Sequence, residues 1–262
     1  MGTIWIKTKY DGGMKMDIPH SVNIGQAMYG FREMGAMLVP YHSIDDIYED
    51  VTQEDIVLDY IDQCKEIFGK FGIHPELPDY PSVLEEFMGR KVWRDTIGSI
   101  ASDEKKWSAG YFVKPVKDKA FTGKIIKSIS DLMGTGNTDE DYEVIVSEPM
   151  DIVAEWRCFI MYDELLDVRP YGLVSGGDDY CGYKYHYDYA VLSRMIEKFR
   201  TWEERPAACS LDICVTKDGE TRLVEINDAY ALGCYGLHCL FYAKFISARW
   251  SQLLDRQDEF RF

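Results

Sequence analysis

The amino-acid sequence predicts an α/β protein of α+β layout, a small alternating domain followed by a larger, strand-rich unit. Three observations carry this. The opening 71 residues switch between strand-like and helix-like apolar periods. From Gly110 onward, short apolar runs are separated by short polar loops. Near the end, an Asp-Gly pair between alternating strands marks a hairpin, and a long apolar helix follows it.

Residues 3–9 alternate as a strand. Ser21 follows Pro19 as a cap, and residues 22–34 carry apolar side chains at helical spacing until Gly35 stops them. Residues 36–41 and 55–58 read as buried strands, with a helix over 60–71 ended by Gly72. Such a β-α-β start implies an open sheet with crossover helices. Residues 43–64 hold eight carboxylates and no Lys or Arg, the pattern of a solvated acidic face. The Pro-rich, aperiodic stretch 72–81 reads as a linker. Beyond it, strands are expected over 111–115, 142–147, 152–161 and 165–174, with a tight turn at Asp163-Glu164 joining the last two. Helices are expected over 124–132, 189–200 and 237–254.

A formal charge of −16, from 29 Lys+Arg against 45 Asp+Glu, opposes nucleic acid and anionic membranes. No apolar run is long enough to span a bilayer, and the N-terminus has no signal-peptide layout. Seven scattered Cys spell neither a disulfide framework nor a zinc site. Together these predict a cytoplasmic protein of undetermined oligomeric state.

The hairpin over 209–228 is the most informative stretch. A two-residue turn at Asp218-Gly219 sets Val215 opposite Arg222, Ile213 opposite Val224, and Asp212 opposite Glu225, with Asn227 on the same face as Glu225. Leu211, Ile213, Val215, Val224 and Ile226 then form the core side. Two like charges directly across a strand pair repel unless a cation or a shared proton intervenes. Two carboxylates and an amide suit Mg²⁺ or Mn²⁺ with a phosphorylated ligand. An exposed hairpin end with both carboxylates in water fits the spacing equally, and a bulge would shift one strand's face.

In this acidic chain, Lys114, Lys117, Lys119 and Lys124 form a local positive site, and the backbone near Thr122-Gly123 suits an anion at a helix start. A solvated loop is the alternative. Walker A and dinucleotide fingerprints are absent. On the 152–161 strand, alternation puts Glu155 and Arg157 on one face, suited to holding phosphoryl or carboxylate oxygens or to a plain surface ion pair. The tyrosines at 183, 185, 187 and 189 suit either an acceptor pocket or one buried face, and Asp228, Tyr230 and Tyr235 are candidates for substrate contact.

The order Lys114 with its Lys/Gly loop, Val144-Ile-Val-Ser-Glu148, Glu155-x-Arg157, Asp212 and Glu225-x-Asn227 resembles the ATP-grasp family. Phe121-Thr-Gly123 and the run from Glu225 to Leu237 are similar to its clade named for one Arg and two Lys. The resemblance covers roughly residues 90–250. It implies an ATP-grasp fold with a smaller preceding domain over 1–90, a nucleotide-binding subdomain over 91–150 and a metal-bearing subdomain over 151–262. It further implies an ATP-dependent ligase joining a small-molecule or peptide carboxylate to an amine through an acyl phosphate. By position, Lys114 contacts the nucleotide phosphates, Lys119 or Lys124 is the second such lysine, and Thr122 and Gly123 line the loop. The backbone of Ile145, Val146, Ser147 and Glu148 reads adenine, and Glu155 borders the nucleotide. Asp212, Glu225 and Asn227 hold Mg²⁺, and Arg157 steadies the transferred phosphoryl group. The chain departs from the family pattern in a loop with one Gly and in Asp228, where Pro commonly follows Asn227. Two other readings remain at this point: a small-molecule kinase on the same Mg-ATP site, and an acidic binding protein with a vestigial one.

Overall fold

The computed structural model describes residues 2–76, 78–116, 121–135, 141–171 and 185–262, with Tyr171 known by its backbone alone. The first sheet is built on β1 (Thr3–Asp11), whose alternate residues Ile4, Ile6 and Thr8 are buried. Parallel to it run β3 (Met37–Tyr41) and β4 (Ile56–Leu58), and β2 (Met16–Pro19) pairs antiparallel with its far end. The crossover helix α1 (Val22–Glu33) starts where Ser21 accepts a hydrogen bond from Ile24 N at 3.3 Å. A short α2 (Ile44–Ile47) and then α3 (Ile61–Lys70) complete this unit, and Gly72 at φ +74° ends α3.

The second sheet has the order β5-β8-β6-β7, all antiparallel: β5 (Val92–Thr96), β6 (Tyr111–Pro115), β7 (Lys124–Ile126) and β8 (Glu143–Ser147). Its core face packs against α4 (Ile97–Ser102), with α5 (Glu104–Ser108) following. The helix expected over 124–132 is replaced by β7 and a 3₁₀ turn over Ile129–Leu132. The β-branched pair Ile125-Ile126 extends the sheet instead, and a capping box at Ser128 and Asp131 starts the turn separately.

The third sheet, β10-β9-β11-β12, is also antiparallel: β9 (Ile152–Met161), β10 (Glu164–Tyr171), β11 (Ala208–Thr216) and β12 (Thr221–Asp228). The β9–β10 turn lies at Tyr162-Asp163, one residue earlier than expected, with φ of +49° and +69°. α6 (Tyr189–Phe199) and a 3₁₀ segment (Ser82–Phe87) cover one face of this sheet. Leu84, Phe87 and Met88 are buried there although they precede the expected boundary at residue 90. The closing helix α7 (Cys239–Leu253) shares its core with the first sheet, through Phe68 against Trp250 at 4.3 Å, and touches the third, through Phe159 against Phe245 at 5.3 Å. Among the described residues no helix is long and apolar enough to cross a membrane.

Gly30 is where α1 and α7 come closest. A Cβ there would collide with the Cys239 carbonyl oxygen and lie 2.7 Å from Ala243 Cβ. We expect Gly30→Ala to cost about 1–3 kcal/mol by overpacking, read as a lowered urea midpoint with an unchanged slope.

Candidate active site

The hairpin keeps the Asp212–Glu225 pairing, but by two compensating irregularities. Its loop has three residues, 217–219, closed by Gly219 N to Thr216 O at 2.8 Å, with Gly219 at φ +83°. Ile213 therefore faces Leu223 rather than Val224, and Val215 faces Thr221 rather than Arg222. A bulge between positions 212 and 213 restores the register, so Asp212 faces Glu225, while Leu223 replaces Val224 in the core. Arg90 holds the bulge by donating to the carbonyls of Leu223 (2.9 Å) and Val224 (2.7 Å).

The site grows from this pair. β9 runs beside β11 with Arg157 opposite Asp212. Arg157 Nε and Nη2 donate to Asp212 Oδ1 and Oδ2 at 2.9 and 2.6 Å, and both residues are almost fully buried. Ser210 Oγ adds a bond to Asp212 Oδ1 at 3.0 Å. Asn227 Nδ2 donates to Asp212 Oδ2 (2.9 Å) and to Glu225 Oε1 (3.2 Å), so the three residues expected to bind metal do converge. From the second sheet, Lys114 Nζ reaches Glu225 Oε2 at 2.9 Å and Asp79 Oδ1 at 2.6 Å, lying over the Tyr80 ring.

Asp79 and Tyr80 come from the stretch expected to be a linker. It docks instead as a strap on β12, with Ile226 N donating to the Asp79 carbonyl at 2.9 Å and Asp79 at φ +34°. Nothing periodic in the sequence points to them; the only signal was an Asp, a residue that tolerates this backbone region, among prolines. Beside the strap lies a cavity of about 320 Å³ lined by Tyr80, Arg90, Val92, Arg94 and Ile145, among others.

Two expectations are corrected here. The backbone groups of Ile145, Val146 and Ser147 are spent on ladders to β5 and β6, because β8 is an inner strand, so they do not read a base. Glu148 is likewise tied to Lys91, its N–H on the Lys91 carbonyl (3.1 Å) and its carboxylate on the Lys91 N–H (2.9 Å). Ile145 contributes its side chain to the cavity, on the same sheet face as Lys114. Lys124 pairs with Val113, not Lys114, so it lies on the other sheet face and donates to the Met133 carbonyl at 3.0 Å. With no helix start at Thr122-Gly123, there is no helical anion cradle. Thr122 is exposed, and Gly123 leaves room for its neighbours, since a Cβ there would be 2.6 Å from Phe112 Cζ.

Lys117, Lys119 and Tyr183 lie outside the described residues. Asp228 is buried in a bidentate pair with Arg249 (2.8 and 2.7 Å), and Tyr230 is buried in the core with α7. Neither is placed for substrate contact. Tyr235 is half-exposed, its ring 4.5 Å from the Arg157 guanidinium carbon. Tyr185 and Tyr187 pack on the third sheet's core.

Electrostatically the seam is short of positive charge: the carboxylates of Asp79, Glu155, Asp212 and Glu225 meet the cations of Lys114 and Arg157. Burial pushes the Asp212 carboxyl up, against the pull of Arg157. Burial also works on Glu225, but Lys114 and Asn227 outweigh it and hold that carboxyl below its ordinary value. Glu155 has no such partner, and burial with the Asp212 and Glu225 charges pushes it up to about 7. Among the described residues no cluster of three His, Cys, Asp or Glu side chains is arranged to hold a metal. The oxygen-rich set nonetheless fits a hard divalent cation: the excess negative charge calls for one, and turning the Asn227 amide over would exchange its donor for the third oxygen ligand.

Residues 87–245 match a family of ATP-grasp domains, family 2 of its clade. No curated protein matches the chain. The fold is similar to D-alanine–D-alanine ligase from Bacillus anthracis, at 14% identity and a TM-score of 0.55 over 97% of this chain and 98% of that one. It is also similar to N5-carboxyaminoimidazole synthetase from Staphylococcus aureus, at 11% identity and a TM-score of 0.57 over 98% and 78%. The ATP complex of the Bacillus anthracis ligase aligns with a TM-score of 0.52 at 14% identity, over 97% of each chain. The architecture is thus the ATP-grasp fold.

Arg157→Met should cost about 3–5 kcal/mol, because it strands a buried carboxylate, and adding Asp212→Leu should recover most of that; a double-mutant cycle in urea measures both. Glu155 sets a pH dependence. Its native pKa of about 7 lies above the ordinary 4.5, so the folded state holds a proton that the unfolded state releases, and stability falls as pH rises through 7. In divalent-free buffer, the Tm difference between Glu155→Gln and the parent protein should widen in the variant's favour from acid to neutral pH; a constant difference would contradict this assignment.

Proposed function

The chain belongs to the ATP-grasp family, and on that footing we propose that it is an ATP-dependent ligase joining a carboxylate to an amine through an acyl phosphate. One observation carries the reading: Asp212, Glu225 and Asn227 meet Lys114 and Arg157 in a single hydrogen-bonded cluster between the second and third sheets. Such a cluster supplies what phosphoryl transfer needs, namely charge neutralisation and positioning, and it contains no nucleophile.

In this reading Asp212, Glu225 and Asn227 hold Mg²⁺, which when bound neutralises phosphoryl oxygens. Lys114 exchanges the Asp79 carboxylate for nucleotide phosphate, keeping Glu225 as its other partner. The second phosphate-contacting lysine is Lys119 rather than Lys124, whose side chain is on the far face of the sheet; with Arg157 this is the one-Arg, two-Lys pattern. Arg157, locked by Asp212, presents a fixed positive charge to the transferred phosphoryl group, and Tyr235 over its face shields it from solvent. The base sits against Ile145 and Tyr80 in the adjoining cavity. The acidic seam favours a cationic amine, such as that of an amino acid or peptide, as the acceptor.

Mg-ATP should raise Tm by several degrees through mass action, and ADP release should require a carboxylate and an amine together. Lys114→Met and Glu225→Gln should each lower kcat by about 10²–10³-fold while remaining folded by circular dichroism. Full turnover by Glu225→Gln, or ADP release with a stable phosphorylated product and no amine, would reject the ligase reading.

A further inference from the structure

At the end of the third sheet away from the cluster, a second cavity of about 380 Å³ is lined by Tyr162, Ser251, Gln252, Arg256, Asp258 and Arg261, among others. It lies on the same two strands as the site. Met161 pairs with Ala208 here, four residues along from Arg157 and Asp212, or about 13 Å at roughly 3.3 Å per residue.

The cavity contains buried polar atoms with no partner. Arg256 Nε and Nη2 make no hydrogen bond, and neither does Ser251 Oγ, whose residue is 2% exposed. The helix end brings the two residues together: Arg256 N donates to the Ser251 carbonyl (2.9 Å) and Asp255 N to that of Gln252 (3.2 Å), with Asp255 at φ +49°. This is the Schellman arrangement, so the backbone carrying Arg256 is fixed beside the last turn of α7.

The unpartnered edge of Arg256 is the one that other arginines in this protein use to grip an oxyanion. Arg157, Arg249 and Arg205 each present Nε and Nη2 to one carboxylate, of Asp212, Asp228 and Asp163, at 2.6–2.9 Å. The nearby acids do not serve Arg256 in this way. Asp258 spends Oδ2 on the Tyr162 hydroxyl and Oδ1 on Ser247 Oγ, both at 2.6 Å, and Glu259 accepts from Gly2 N at 3.2 Å. Gln252 is also spent, its Oε1 accepting from Ala207 N and Arg249 Nη1 and its Nε2 donating to the Arg205 carbonyl. Arg261, stacked 4.0 Å over the Tyr162 ring, adds a second cation at the exposed rim. A buried guanidinium edge without a counter-charge is costly, and an oxyanion removes the cost with two parallel bonds.

We propose that this cavity is an oxyanion-binding site, separate from the nucleotide site, that takes the carboxylate or phosphoryl group of a small ligand edge-on to Arg256 with Ser251 Oγ as a further donor. The test is thermal unfolding of the full chain in inorganic phosphate or acetate against chloride at equal ionic strength. Phosphate, acetate or both should raise Tm by several degrees; a rise in phosphate alone assigns a phosphoryl ligand, and a rise in acetate alone a carboxylate. Arg256→Met should lose the rise while unfolding in chloride at the same or a higher temperature, and Ser251→Ala should reduce it. Lys114→Met should keep it, which separates this site from the proposed nucleotide site. No rise with either anion, a rise that survives Arg256→Met, or one lost in Lys114→Met overturns the proposal. Should Arg256→Met fail to fold, crystals soaked in selenate must show an anomalous peak between Arg256 Nε/Nη2 and Ser251 Oγ, and a blank map there overturns it equally.

Discussion

Asp212 and Glu225 sit directly across a strand pair with little access to water, an arrangement that stands only if positive charge is brought to it. Much of the architecture meets that condition. β9 delivers Arg157 into both oxygens of Asp212, β6 delivers Lys114 to Glu225, and Asn227 bridges the two carboxylates. The second and third sheets are therefore joined at their facing surfaces by an ion-pair network as well as by the chain. Its deficit of positive charge is felt most at Glu155, which has no donor of its own.

The backbone that carries these groups is irregular where the chemistry requires it. A three-residue loop and a bulge, each displacing the register by one, cancel at the carboxylates and leave Leu223 in the core. The carbonyls at the bulge do not go unsatisfied, because Arg90 crosses from the segment before β5 to bind them. The strap at Asp79 and Tyr80 uses the same edge of β12 and puts a third carboxylate on Lys114's side of the seam.

Behind the cluster the hairpin is fastened rather than left to end freely. Where a proline would commonly follow Asn227, Asp228 forms a buried bidentate pair with Arg249 of α7. α7 belongs to the core of the first sheet. The end of β12 is thus fixed to the amino-terminal unit through two charge-assisted bonds, which limits how far Asn227 can move when ligands exchange.

Much of this was legible in the sequence because it is local. The parallel β-α-β start, the strands at 111–115 and 152–161 and the Asp212–Glu225 pairing all follow from periods of 2 and 3.6 and from turn residues. The ordered motifs led to the ATP-grasp fold. Tertiary structure alone decided the rest. That Arg157 grips Asp212, that Asp79 meets Lys114, that the 145–147 backbone is consumed by two neighbours and that Lys124 turns away are consequences of which strands pair across long stretches of chain. Periodicity gives the face of a residue within its own strand; it is silent on the partner, and partners govern charge, burial and the fate of each backbone group.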